Sequence, residues 1–278
     1  MTSFLRILCI WVLTLGAGAS WAQTDGATAE SLLRKSGLWE QLATIAPQIE
    51  AGLMESLSQA RTKPSAAEVE RIARVIKETH SDQRLRATTV RIVSGKLNGR
   101  LIADLQHWYD SPVGREITKL EEASTAEGGD PREVVRQGSE LLGQTSQRRR
   151  QLLEELLAET RAAEALTQIT INTSIAAQRG VASVLPDAPA VSAADLRAAI
   201  EAQRPQMLNA FSILALAGFA KAYESLPTEQ LSEYVSFFKS NAGSHFNALC
   251  IEALDAALSE AAAELGQRLP STDDRANT

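Results

Sequence analysis

The sequence predicts an all-α protein, a helical bundle built from two pseudo-repeated halves. Three observations lead there. Apolar residues recur at steps of three and four along most of the chain, the period of a helix face rather than of a strand. Helix-start signatures stand between those stripes. A short aromatic motif occurs twice, at a constant offset of 129 positions (237 − 108). The composition agrees. A chain of 278 residues, 44% hydrophobic and 22% charged, with a formal charge of −6, is ordinary for a globular protein. It excludes a disordered, collagen-like or multi-span membrane chain.

Residues 1–22 read as a secretory signal peptide. Arg6 supplies the positive flank, Ile7 to Leu15 is an apolar run broken by Thr14, and Ser20-Trp21-Ala22 places small side chains where a signal peptidase reads. Cleavage is expected before Gln23. The run is short for a spanning helix, and Cys9 lies too early in it for a lipid anchor. The expected location is the periplasm. After cleavage one cysteine remains, Cys250, so no intrachain disulfide can form in that oxidising compartment. Its place between Leu249 and Ile251 predicts a buried, inert thiol.

Residues 23–31 are small and polar and read as a flexible start. Leu38, Leu42, Ile45, Ile49, Leu53 and Leu57 form the first stripe, which Pro47 should kink or divide. Thr62 to Ser65 is a break, and Ser65 with Glu68 is a capping box opening a helix through Val69, Ile72 and Ile76. Residues 82–97 read as helix despite the β-branched run Thr88 to Val93. Gly95, Asn98 and Gly99 punctuate a turn before the stripe Leu101, Leu105, Trp108. Ser111-Pro112 looks like a cap with proline in the first turn, ahead of Val113, Ile117 and Leu120.

Gly128-Gly129-Asp130-Pro131 is the clearest internal linker. Asp130, Pro131 and Glu133 then mark a fresh helix start. From Ser146 one long helix is expected through Leu152, Leu156, Ala163, Leu166 and Ile169, although Ile169 to Asn172 alternates as a strand would. Pro186 to Pro189 reads as a loop, with Ser192 and Asp195 capping the helix after it. Met207 to Tyr223 is apolar nearly all round and reads as a helix in the middle of the bundle rather than a membrane span. Pro227 begins another helix. The divisions are a signal peptide 1–22, a first helical repeat 23–127, a second 128–265 and a flexible tail 266–278, with both repeats sharing one core.

The repeated motif is Trp108-Tyr109-x-Ser111-x-x-Gly114 in the first half and Phe237-Phe238-x-Ser240-x-x-Gly243 in the second. Leu120 and Leu249 also match. The reactive groups do not: His107, Asp110 and Glu116 stand where the second half has Ser236, Lys239 and His245. What repeats is packing chemistry. A serine satisfies free backbone donors at a helix start, and a glycine permits a close helix crossing. Trp108, Tyr109, Ser111, Gly114, Phe237, Phe238, Ser240 and Gly243 are therefore assigned a structural role.

This aromatic-aromatic-x-Ser-x-x-Gly element resembles the core motif of the bacterial domain-of-unknown-function 2059 family. The lead-in Tyr223-Glu224-Ser225-Leu226-Pro227-Thr228-Glu229-Gln230-Leu231 is similar to that family too. The second copy, about residues 190–260, is the better match. The first, roughly 65–125, departs in its lead-in, where Asn98-Gly99 replaces the Pro-Thr pair. The resemblance implies an all-helical fold and an envelope location, and brings no activity or functional residue with it.

Signatures of chemistry are sparse. His80, His107 and His245 have no spacing that presents two of them together to a metal, and His80 reads as a helix-end partner of Asp82. Arg148 to Arg150, followed by Glu154 and Glu155, read as a solvated helix face. An acidic chain with 5% aromatic residues argues against nucleic acid. Neighbouring carboxylates such as Glu121-Glu122 point different ways on a helix and make no acid–base pair. No catalytic residue, cofactor or metal ligand is assigned. The expected function is that of a non-enzymatic periplasmic interaction protein with a protein or envelope partner and no stable membrane span after signal cleavage. The alternative is an exported enzyme acting on an envelope component, with His107, Asp110 and Glu116 gathered at one helix junction.

Overall fold

The fold was analysed in a computed structural model, which describes residues 16–58, 65–127, 130–184 and 193–269. Among them every regular element is an α-helix. The first half contributes α1 (Gly16–Lys35), α2 (Leu38–Ser58), α3 (Ala66–Thr79), α4 (Asp82–Ser94), α5 (Gly99–Tyr109) and α6 (Pro112–Glu127). After α7 (Pro131–Gln144) come α8 (Gln147–Thr160), α9 (Ala162–Val184), α10 (Ala193–Glu201), α11 (Arg204–Ala222), α12 (Thr228–Lys239) and α13 (Asn241–Arg268). The apolar run Ile7 to Leu15 of the signal reading, Thr62 and its neighbours, the Gly128-Gly129 linker, the Pro186 to Pro189 loop, Ser192 and the end of the tail lie outside the described residues.

Several local readings are met at atomic detail. Ser65 and Glu68 satisfy each other's backbone donors as a capping box opening α3. Asp130 caps α7, with Pro131 in its first turn. The β-branched residues of α4 and α9 are helical; Thr89 and Thr167 return their hydroxyls to carbonyls one turn back, which hides the polar atom inside the core. Pro47 lies within α2 and does not divide it.

Other readings are corrected. Residues 23–31 are no loose start: α1 runs through them, and Ala29, Leu32 and Leu33 are buried because its apolar face meets α4 and α5. The helix expected from Ser146 breaks after Thr160, where Arg161 takes a left-handed conformation (φ 52°) and ends α8. α11 is not in the middle of the bundle. α7, α8 and α9 cover part of it, burying Ala217 and Ala220, while Ile213 remains 47% exposed. α13 continues past the predicted start of the tail, with Gly266 buried. His80 turns inward to the Thr79 hydroxyl, while Asp82 pairs with Arg86; burial lowers the His80 pKa, keeping the ring neutral. Arg149 leaves the solvated face to donate to the Leu226 and Tyr223 carbonyls at the end of α11, the cationic closure a helix C-terminus favours.

The order and pairing of helices recur in the two halves. α1 packs on α2, α4 and α5; α8 packs on α9, α11 and α12. α2 packs on α3, α4 and α6; α9 packs on α10, α11 and α13. α5 packs on α6, and α12 on α13. α7 stands outside this scheme and lies along α11. The longest contact is α9 against α13, where a Cβ on Gly180 or Gly266 would strike the facing backbone. The main core draws on both halves: Leu33, Leu105 and Ile117 join Leu152, Leu156, Leu231 and Phe246 in one cluster.

Candidate functional site

The eight motif residues form two sharp helix corners, α5–α6 and α12–α13. In the first, the Ser111 hydroxyl accepts from the Gly114 amide at 2.9 Å; in the second, Ser240 accepts from Gly243 at 3.1 Å. Each serine thereby satisfies a free donor of the new helix. Each glycine lies on the end of the preceding helix. A Cβ on Gly114 would run into the Trp108 carbonyl, and one on Gly243 into the Phe237 carbonyl. The residue four positions on closes a second matching contact. Thr118 donates to the Lys35 carbonyl at the end of α1, and Asn247 to the Thr160 carbonyl at the end of α8, 2.9 Å. Left-handed residues follow both carbonyls within two positions, Gly37 (φ 71°) and Arg161.

The two corners face each other. Trp108 stacks on Phe237, its own counterpart, with ring centroids 4.5 Å apart and planes 5° from parallel. Tyr109 meets Phe237 and Phe246 edge-on. Such ring pairs contribute about 0.5–1.5 kcal/mol each beyond the area they bury.

Between the corners lies a cleft of about 470 Å³, within the range of roughly 300–1,000 Å³ typical of small-molecule sites. Matching positions line it in pairs: Trp108 with Phe237, Tyr109 with Phe238, Gly114 with Gly243, Ile117 with Phe246. The pairing continues down α6 and α13 through Thr118 with Asn247, Glu121 with Cys250, and Thr125 with Leu254. Ala215, Gly218 and Phe219 of α11 and Leu166 and Ile169 of α9 complete the wall. Ser111 and Ser240 are not part of it; their hydroxyls serve the caps.

Glu121 is the one acidic side chain on this wall, and no Lys, Arg or His accompanies it among the described residues. It occupies the helix face of Gly114 and Ile117, so the register of α6 turns it inward. Its Oε1 accepts from the Tyr223 hydroxyl at 2.7 Å and from the Tyr234 hydroxyl at 2.6 Å. Its Oε2 lies over Gly37 and receives no hydrogen bond from any described residue. Burial raises the Glu121 pKa above the ordinary carboxyl value, the two tyrosine hydrogen bonds pull the other way, and Glu122 nearby adds to the rise. Burial first, and then the Glu121 charge, hold Tyr223 and Tyr234 well above the usual phenol range. Both phenols therefore stay protonated and donating.

Cys250, the counterpart of Glu121, has its thiol pushed up to about 12 by burial. It is a neutral wall atom at physiological pH, not a nucleophile. The residues of the enzyme alternative do not converge. His107, Asp110 and Glu116 are all exposed, none lines the cleft, and Asp110 is spent on Lys35 at 2.5 Å. Sequence reasoning passed over Glu121 as half of an adjacent acidic pair. The available signal was its register: a carboxylate on the apolar stripe of α6, seven residues beyond the motif glycine.

No described helix is long and apolar enough to cross a membrane. Compared with protein families, curated proteins and solved structures, the chain matches none of them.

Proposed function

We propose that this chain is an exported, non-enzymatic binding protein of the cell envelope whose inter-corner cleft takes the apolar body of a small ligand. The observation that carries the reading is the cleft: an apolar, aromatic-walled space with one carboxyl held by two tyrosines. That combination of apolar volume and few fixed polar groups is what small-molecule sites require. In the same reading the two halves are copies of one helical unit, and the ligand lies between their corners. Gly114 and Gly243, with Ser111 and Ser240, set the helix corners and so the spacing of the walls.

Export and the envelope location belong to the proposal. They rest on the signal-like pattern of residues 1–22 and on the resemblance to the domain-of-unknown-function 2059 family. The test is a titration with the neutral fluorescent probe phenylnaphthylamine. Saturable binding at one site per chain is expected, with quenching of the emission of Trp108. Binding that is weak, unsaturable or without effect on Trp108 would remove the proposal.

A further inference from the structure

Glu121 presents on the cleft wall one oxygen, Oε2, that accepts from no described residue. We propose that the ligand of the cleft is a small amphiphile carrying a protonated amine, and that this amine donates to Glu121 Oε2. The proposal rests on the reading of the cleft as a ligand site and adds to it a chemical class.

The hydrogen-bond inventory supports the choice. A carboxylate accepts at both oxygens, yet the tyrosines engage only Oε1. Most other polar side chains of the wall are already spent on backbone. Ser36 donates to the Leu33 carbonyl, Thr125 to that of Glu121, and Thr160 to that of Leu156. Thr118 and Asn247 hold the ends of α1 and α8. Gln41, at the exposed rim, Ser124, the Trp108 indole N–H and the Tyr109 hydroxyl remain, and all are neutral.

Charge then discriminates between head groups. An anionic head would enter a wall with a carboxyl and no cation to offset it. An alcohol would bring one neutral donor. An ammonium brings charge-assisted hydrogen bonds, which are about twice as strong as neutral ones, and it pairs a carboxylate that the wall leaves without a cation. The aromatic walls favour a cation as well, since the faces of such rings carry negative potential. Tyr223 and Tyr234 fix Glu121 before the ligand arrives, so little ordering accompanies binding.

The experiment is calorimetric titration of the protein at neutral pH with octylamine, octanol and octanoate, which share one apolar body. The expected order is octylamine, then octanol, then octanoate, with the amine at least about tenfold tighter than the alcohol, as a charge-assisted hydrogen bond implies. E121Q should abolish the amine's advantage over the alcohol; its amide oxygen still accepts from both tyrosines, so the wall keeps its shape. Octanoate binding as tightly as octylamine, or an amine advantage that survives in E121Q, overturns the proposal and leaves the ligand-site reading standing. Failure of all three to bind overturns both.

Discussion

Glu121 shows how much a single residue's register decides. On the sequence it is one of two adjacent acids in a helix rich in them. In the fold it is the inward one, half-buried against two phenols, while Glu122 is exposed. The consequence is a pH signature. A carboxyl whose folded pKa lies above its unfolded value of about 4.3 binds more protons in the native state. Its contribution to stability is full below that value and is lost as pH rises through the raised one. Tyr223 and Tyr234 face it and remain protonated throughout; Cys250 and Tyr109 on the wall do likewise. The lowered carboxyls Glu68, Glu133, Glu155, Glu201 and Glu264 have the opposite sign, with stability present above about 4.3 and lost as pH falls, but they are common to both proteins in a comparison with Glu121→Gln. Denaturant unfolding should therefore show the wild type losing ground to Glu121→Gln as pH rises from about 4 to 8. A difference that is flat, or that runs the other way, would mean Glu121 is as solvated as an ordinary surface acid.

At the scale of elements, stripes and caps were legible because they are local physics. Ser65 with Glu68, Asp130 with Pro131, and Ser111 and Ser240 with their glycines act where the sequence places them. The misreadings share a cause: each depended on a neighbour distant in sequence. The break at Arg161 carries no glycine or proline, and the carbonyl it frees is satisfied by Asn247 from α13. α11 has the composition of an interior helix, yet its composition cannot say that α7 to α9 cover only part of it. Residues 23–31 are polar enough for a tail, but the helix they belong to packs on α4 and α5, and Ala29 is buried. The corners themselves invite a matched test. Ser111→Ala and Ser240→Ala should each cost about 1 kcal/mol. Gly114→Ala and Gly243→Ala should cost more, about 1–3 kcal/mol, because the new methyl meets a carbonyl and not a flexible side chain. Thermal and denaturant unfolding would measure all four. Corners that respond unequally, with one pair neutral, would deny their equivalence.

The helices of the two halves share their pairings and one core, with α13 lying along α3 and α4 and Trp108 on Phe237 between the corners. The recurrence of the helix pairings was beyond a reading of sequence, since only the corner motif kept recognisable residues. The shared core makes a mechanical prediction: heating or denaturant should give one cooperative transition, seen alike by tryptophan fluorescence and by helix content. Two separated transitions would mean that each half holds itself together. The cleft between the corners is the molecule's most specific feature, and Gly218 offers a way to close it without disturbing the frame. It lies on the wall in α11, and a Cβ placed on it meets nothing within 4 Å. Gly218→Leu should fill the space while leaving the helix as stable or stabler by about 0.5–1 kcal/mol, since glycine is a poor helix interior residue. The decisive measurement is the affinity of phenylnaphthylamine for wild type and Gly218→Leu, taken beside their melting temperatures. Binding should fall at least about tenfold with melting unchanged or raised, as loss of a filled apolar pocket implies; unaltered affinity in a fully folded Gly218→Leu protein would contradict a ligand site between the corners.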